Sequence, residues 1–426
     1  MIEKILAALR AEHIDTYSIN ETQSQSVECF FVRKNMDLKR STDLTDYSVT
    51  VFRSLERDGK ALLGSSNLPV YPGMEEAELR AAIRDAYYAA SFAGNPPYGL
   101  FAGEKAAPVP SSSGFAKEPL EANMKRMAEA LFAADTDNTV FINSAEVFAT
   151  RRAYRVINSN GVDVGWETRE VTGEYVIQCL EPQDVETYHS FSYREPDEEA
   201  LRADVENALT QTRDRAAATR PPQAGQYTVI LSGEQVEELL SYYMSRAGSG
   251  MVYQKYSSWA AGQNVQGENI TGDKLTITLR ALDPYDSEGI PMADRPLVED
   301  GVLKTIHGGQ RFAQYLGIEP TGSYRAIRVP TGTTPLAELK AQPHLHVVTF
   351  SDFQMNPMSG HFAGEIRLAY LFDGEKVTPV TGGSVNGSLL EAQGHLTFSR
   401  ERYRTGRYDG PFAVSIPGVA IAGAEE

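Results

Sequence analysis

Cysteine and histidine are scarce in this 426-residue chain, with two Cys and seven His. Two thiols make no disulfide framework. Cys29 and Cys179 each sit in an apolar, strand-like stretch (VECFFV and YVIQCL). That setting predicts buried, reduced side chains and a cytoplasmic protein. Long apolar runs are also missing. None approaches the ~18 residues a membrane helix needs, and charges interrupt the N-terminal MIEKILAALRAEHIDTY where a signal peptide needs an unbroken core. No membrane association is expected. The most apolar segment, FAVSIPGVAIAGA, contains Pro417 and Gly418 and reads as a buried strand pair. Basic charge is short too: 40 Lys and Arg stand against 57 Asp and Glu, a formal charge of −17. A nucleic-acid partner rewards a basic surface through counterion release. No run of five Lys or Arg exists here, so direct nucleic-acid binding is not expected. What the chain does have is apolar content, 42% hydrophobic residues, enough to build cores and exclude disorder.

At roughly 100–200 residues per domain, the length predicts two or three domains. Helical periodicity marks residues 2–9, 74–93 (Leu79, Ile83, Ala86 and Ala90 on one face), 119–134 and 196–216. Alternating strand-like runs occupy 16–20, 26–34, 46–54 and 139–180. Asn160-Gly161 predicts a hairpin with a type I′ turn. The stretch ATRPPQAGQ (218–226) reads as a linker, dividing the chain into domains 1–220 and 225–426. After it come a strand (YTVIL), a helix at about 233–246, a short helix at 308–317 and mainly strands, among them KLTITLRAL, HLHVVTF, GEIRLAYLF and KVTPV. The expected class is α+β: an N-terminal α/β part with a mixed sheet and flanking helices, then a β-rich C-terminal domain with a few helices.

Complete catalytic motifs are absent. GENITGDK (267–274) places Asp273 where a phosphate loop needs Lys, and no GxGxxG opens a helix after a strand. TGGSVNGS (381–388) misses the spacing of a nucleophile elbow. His344 and His346 share a strand face by period two. With His361 or Glu365 they would form a non-standard metal site, the basis for a stand-alone hydrolase; histidines on an ordinary strand are the bland alternative. RERYRTGR (400–407) interleaves basic residues with Tyr403 and suits contact with an anion or a solvated turn.

A series of short motifs in the second half carries a resemblance. In order these are Thr321-Gly322, Asn356-Pro357-Met358-Ser359-Gly360-His361-Phe362, Phe372-Asp373-Gly374, Pro379-Val380 and Val385-Asn386-Gly387. The chain resembles the TldD/PmbA family, once described as modulators of DNA gyrase. The resemblance is tightest over about 300–391 and extends more loosely over nearly the whole chain. It implies a cytoplasmic metallopeptidase complex that acts on unfolded peptides. TldD-type members carry H-E-x-x-x-H on an early helix of the C-terminal domain and bind zinc with a later Cys. The equivalent helix here reads EELLSYYMSR (237–246), with no His, and no Cys follows Cys179. The resemblance is therefore to the PmbA (TldE) type. It implies no metal and no catalytic residue in this chain, and zinc in a TldD-type catalytic partner. A homodimeric peptide- or protein-binding module is the further alternative. The residues the resemblance marks for substrate or partner contact are Thr321, Gly322, Arg325, Asn356, Ser359, Gly360, Asn386 and Gly387. Alternatively the glycines only set turns and the polar residues satisfy them.

Overall fold

A computed structural model describes residues 1–424. The N-terminal part runs α1 (Ile2–Ala11), β1 (Tyr17–Val32), β2 (Asn35–Arg57), β3 (Lys60–Val70), α2 (Glu76–Ala89), α3 (Leu120–Ala133), β4 (Val140–Asn158), β5 (Asp163–Cys179), β6 (Val185–Tyr193) and α4 (Glu198–Ala217). The helices form where periodicity places apolar residues one turn apart: α2 buries Leu79, Ile83 and Ala86. In α4 the Asp197 carboxylate caps the first turn by accepting from the Ala200 N–H at 3.0 Å.

The six strands make one sheet in the order β3-β2-β1-β4-β5-β6. The α+β class holds, but this sheet, expected to be mixed, is antiparallel throughout. The reason lies in the connections. Short turns join β1 to β2 to β3 and β4 to β5 to β6, and short turns permit only antiparallel neighbours. The Asn160-Gly161 hairpin forms with a longer loop than a two-residue turn. Only Gly161 takes a positive φ (+97°). The Asn158 side-chain oxygen accepts from the Asn160 and Val162 N–H groups at 2.8 and 3.2 Å.

α1 and α2 cover one end of the sheet over Ile19, Val49, Val51 and Leu68. α3 and α4 cover the other end over Cys29, Val147, Val171 and Ile177. Ile19 and Cys29 stand an even number of residues apart on β1, so all four helices share one face. The opposite face carries Tyr154, Val156, Val164 and Trp166 and packs against Tyr285 of the second half. Cys29 and Cys179 are buried free thiols, and Cys179 Sγ donates to the Glu181 carbonyl at 3.2 Å. No helix among the described residues is long and apolar enough to cross a membrane.

The second half runs β7 (Gly225–Ser232), α5 (Glu234–Arg246), α6 (Ser249–Tyr253), β8 (Ile277–Leu279), β9 (Arg295–Glu299), β10 (Val302–Leu303), α7 (Gln310–Leu316), β11 (Ile327–Arg328), α8 (Leu336–Leu339), β12 (His344–Met355), β13 (His361–Phe372), β14 (Val377–Val380), β15 (Ser384–Ser388), α9 (Leu389–Ala392), β16 (Thr397–Phe398), β17 (Arg402–Arg404), β18 (Tyr408–Pro411) and β19 (Ala413–Ala422). Five strands close a ring: β12 pairs with β7, β7 with β19, β19 with β15, β15 with β13, and β13 with β12. Only the β12–β7 pair is parallel. A second sheet runs β10-β9-β8-β11-β18-β17. One large core joins both.

Two expectations change here. KLTITLRAL yields only the three-residue β8. The expected strand pair at FAVSIPGVAIAGA is one strand, β19, bulged between Ile416 and Val419. Pro417 offers no N–H to a ladder and Gly418 takes φ +70° there.

Candidate functional site

A cleft of about 610 Å³ opens at the start of α5. β7 delivers the chain to Gly233, whose φ of +66° and ψ of −130° turn it into the helix. Val236, Leu239, Leu240 and Tyr243 then face the core, leaving Glu234, Glu237 and Glu238 on the cleft side. β6 and α4 of the first half supply Ser190, Ser192, Tyr193 and Asp204 to the opposite wall. Phe350 to Phe353 of β12 and Tyr403 to Arg407 after β17 complete it.

The cleft is rich in acids. Asp204, Glu234, Glu237, Glu238 and Asp352 face Arg404 and Arg407. Confinement raises three of the carboxyls. Desolvation pushes Asp204 up to about 6, with Asp197 and Glu234 adding repulsion against a hydrogen bond from Tyr193 (3.3 Å). Desolvation also raises Glu234. It raises Glu237 against the hydroxyl of Thr405, which donates to Glu237 Oε2 at 2.9 Å. Asp204 and Glu234 keep solvent-exposed surface inside the open cleft, which damps these effects. Arg404 is anchored from behind by Asp409, which also takes a two-pronged bond from Arg402 at 2.5 and 2.6 Å. Burial alone would raise Asp409; these arginines outweigh it and hold the carboxyl below its usual range.

The residues marked in the sequence do not converge on this cleft. Thr321 and Gly322 follow α7 in a buried loop, where Thr321 Oγ1 accepts from the Gly308 N–H at 3.1 Å. Gly322 has φ +80°, and a Cβ there would fall 2.0 Å from Met292 Sδ. Arg325 pairs with Asp283 at 2.8 Å in the wall of a second cavity of about 320 Å³. That cavity also holds Trp166, stacked on Tyr154 with ring centroids 5.0 Å apart. Asn356 closes a turn, its side-chain oxygen accepting from the Met358 and Ser359 N–H groups at 2.9 and 3.1 Å. Ser359 Oγ accepts from the His361 N–H, and Gly360 takes φ +74°. Asn386 and Gly387 lie in a third cavity of about 420 Å³ with His361 and His395. Gly387 lets β15 pass over the Phe362 ring.

The alternative metal set falls apart in space. His344 and His346 do share a face of β12, but both are buried. His344 Nδ1 bonds to the Gln342 carbonyl at 2.7 Å. His346 Nε2 bonds to Ser232 Oγ at 2.9 Å. Desolvation keeps both neutral, with His346 pushed down to about 3. The antiparallel register sets His344 against Phe372, so His361 stands at the far end of β13. At ~3.3 Å per residue that is roughly 35 Å away. Glu365 instead pairs with Arg367. Among the described residues no group of three or more His, Cys, Asp or Glu has the geometry to hold a metal ion.

What the sequence reading missed is the cleft itself. Asp204 and Tyr193 lie far along the chain from Glu237 and Arg404, and no local pattern joins them. The one available signal was RERYRTGR, whose Tyr403, Arg404 and Arg407 do form a cleft wall.

Comparison with known proteins agrees with this architecture. Residues 224–425 match the PmbA/TldA metallopeptidase C-terminal domain. A metalloprotease of Methanothermobacter thermautotrophicus is 24% identical over 372 residues, covering 85% of this chain and 67% of that protein. A metalloprotease TldD homolog of Haemophilus influenzae is 25% identical over 221 residues, 46% of this chain and 45% of its own length. Among solved structures, TldE from Thermococcus kodakarensis superposes with a TM-score of 0.76 at 17% identity, over 99% of this chain and 100% of that one. A candidate modulator of a DNA gyrase from Thermotoga maritima gives 0.77 at 15% identity, over 99% of each. Fold and sequence thus make this a metallopeptidase-related protein. Residues 224–425 carry the C-terminal domain of the TldD/PmbA family, and the sequence matches support that family for the chain.

Proposed function

We propose that this chain is the metal-free partner subunit of a TldD-type zinc metallopeptidase that acts on unfolded peptides in the cytoplasm. The observation that carries this reading is the composition of α5 and its cleft. The helix that bears H-E-x-x-x-H in TldD-type members has Glu, Tyr and Ser here, and no His or Cys lines the cleft. A peptidase zinc site needs imidazole or thiolate donors with an open fourth position. Carboxylates can ligate zinc, but here they face arginines with no imidazole or thiolate beside them, and among the described residues no three of them have the geometry to hold an ion, so no catalytic step is assigned to this chain.

The cleft suits a supporting role. It is open, long and acidic, and Phe350, Phe353 and Tyr403 offer apolar surface beside the carboxylates. Such a trough fits an extended peptide carrying basic side chains. The unpaired thiols fit a reducing compartment.

Co-expression with a TldD-type chain tests the proposal. The expected result is a stable complex whose zinc belongs to the partner and whose peptidase activity exceeds that of either chain alone. Stoichiometric zinc and peptide hydrolysis by this chain in isolation would overturn it.

A further inference from the structure

The cavity of about 320 Å³ lies where the helix-free face of the N-terminal sheet meets the chain that follows β8. Tyr154 and Trp166 stand directly opposite one another on β4 and β5. Cross-strand pairing brings their rings together, and the stacked pair forms one aromatic wall. Tyr285 approaches Trp166 from the second half, with ring centroids 6.1 Å apart. Leu282 and Met292 add apolar surface. Trp166 is only 6% exposed, and its indole Nε1–H finds no acceptor among the described residues. A buried donor without a partner is uncommon in native proteins.

The charged groups of the lining are satisfied, with one exception. Arg155 makes a two-pronged bond to Asp163 at 2.9 and 3.1 Å. Asp283 takes Arg194 at 2.9 Å and Arg325 at 2.8 Å. Asp286 accepts from the N–H groups of Glu288, Ile290 and Ser323. Glu21 accepts from the Tyr47 hydroxyl at 2.9 Å. Among the described residues, Arg280 has no ion pair and no side-chain hydrogen bond. The carboxylates nearest to it are already taken. Asp409 holds Arg402 and Arg404, and Asp294 holds Arg328 at 3.3 Å. Desolvation lowers the Arg280 pKa from its usual value, yet a guanidinium stays charged. Arg280 is therefore a partly buried cation with no counter-ion of its own. Such a charge is costly unless a bound anion answers it.

We propose that this cavity binds a small aromatic monocarboxylate, with its carboxylate on Arg280 and its ring against Tyr154, Trp166 and Tyr285. One free guanidinium neutralises one charge. Glu21, Asp283 and Asp286 repel a dianion, so the fit is to a carboxylate and not to a phosphate. The volume is at the small end for ligand pockets and suits one ring-bearing residue, not an extended chain. Two sources offer that chemistry: a free acid, and the aromatic C-terminal residue of a peptide. This site shares no residue with the α5 cleft. It does not rest on the partner-subunit reading, and its test needs no second protein.

Calorimetric titration of the full chain with N-acetylphenylalanine tests the proposal. The expected dissociation constant is of the order of 0.1–1 mM, as suits a ligand of about fifteen heavy atoms. N-acetylphenylalaninamide keeps the ring and lacks the charge, and should bind at least about tenfold more weakly. Arg280→Gln should weaken the acid by a similar factor and leave the amide unchanged. Because it removes an unpaired charge, the melting temperature of that variant should hold or rise. Ser287→Trp, at an exposed position of the lining, fills the cavity from its solvent side and should abolish binding of both. Absence of heat from the acid up to roughly 10 mM overturns the proposal. So do equal affinities for acid and amide, or acid binding that survives Arg280→Gln or Ser287→Trp. The peptide Gly-Gly-Gly-Gly-Phe separates the two sources, both of which uphold the site. If it binds at least as tightly as the single residue and its C-terminal amide does not, the ligand is a peptide end. If only the single residue binds, the ligand is a free acid.

Discussion

The two large β-structures of this protein handle their edges in opposite ways. In the C-terminal half, five strands close on themselves, so each has a neighbour on both sides over at least part of its length. In the N-terminal half, the sheet stays open and carries a long exposed segment of β2. Closure confines the C-terminal half to its own packing. Openness leaves the N-terminal half, among the described residues, with a stretch of β2 unpaired on one side. The cleft lies between the two, with the ring side supplying α5 and the sheet side supplying Asp204 and Tyr193.

The comparison predicts a hierarchy of mutational effects. Leu231 of β7 is fully buried in the ring core. Leu231→Ala should cost about 2–5 kcal/mol by leaving a cavity that strands paired on both sides cannot collapse. Urea unfolding followed by circular dichroism measures this, and a cost under about 1 kcal/mol would break the picture of a rigid ring. Gly387→Ala comes next. Its Cβ would lie 2.2 Å from the Phe362 ring, and the crowding should cost about 1–3 kcal/mol by the same assay.

A pH effect of similar size is expected at His346, which joins β12 to β7 through Ser232. Its folded-state pKa lies below the ordinary 6.5. The unfolded chain therefore binds the proton more readily, and stability is lost as pH falls below 6.5. At pH 5 the loss is about 2 kcal/mol. His346→Gln should flatten this part of the stability–pH curve. Asp204 acts with the opposite sign, because its raised pKa favours the protonated folded form and its contribution fades as pH rises through about 6. Asp204→Asn should leave stability less sensitive to pH between 4 and 6. An acid-side slope unchanged by His346→Gln would place the titrating group elsewhere.

The smallest effect belongs to the open edge. Leu38→Ala should change stability by no more than about 0.5 kcal/mol, since the side chain is half exposed and touches no core. A larger loss would mean that β2 is covered within the monomer, and the contrast with the ring would fail.

The sequence carried local structure well and long-range structure poorly. Leu79, Ile83 and Ala86 announce α2 because a helix is specified by neighbours one turn away. The body of α4 was legible for the same reason, whereas its Asp197 cap emerged only from the structure. Ring closure was not, because β7 meets β19 across almost the whole second half, and nothing in YTVIL names its partner. KLTITLRAL alternates like a full strand, yet only Ile277–Leu279 finds ladder partners. The His344 and His346 pair illustrates the limit in chemistry. Period two put both on one face correctly, but could not say that the face points into the core. The family motifs mark sharp turns such as Asn356–Gly360, whereas the cleft is assembled from residues that no motif links.

The order in which the ring is made has a consequence during synthesis. β7 is the first strand of the second half to leave the ribosome, and β19, its antiparallel neighbour, is the last. At ~5–20 residues per second, roughly 10–40 s pass between them. The N-terminal sheet is complete by β6 and free to fold in that interval. β7, α5 and the parallel β12 must wait with apolar surface uncovered, a window in which chaperones and proteases compete for the nascent chain. Ribosome-stalled chains that expose residues up to 411 should therefore be cut by protease within the second half while residues 17–217 survive. Chains that expose β19 as well should resist throughout.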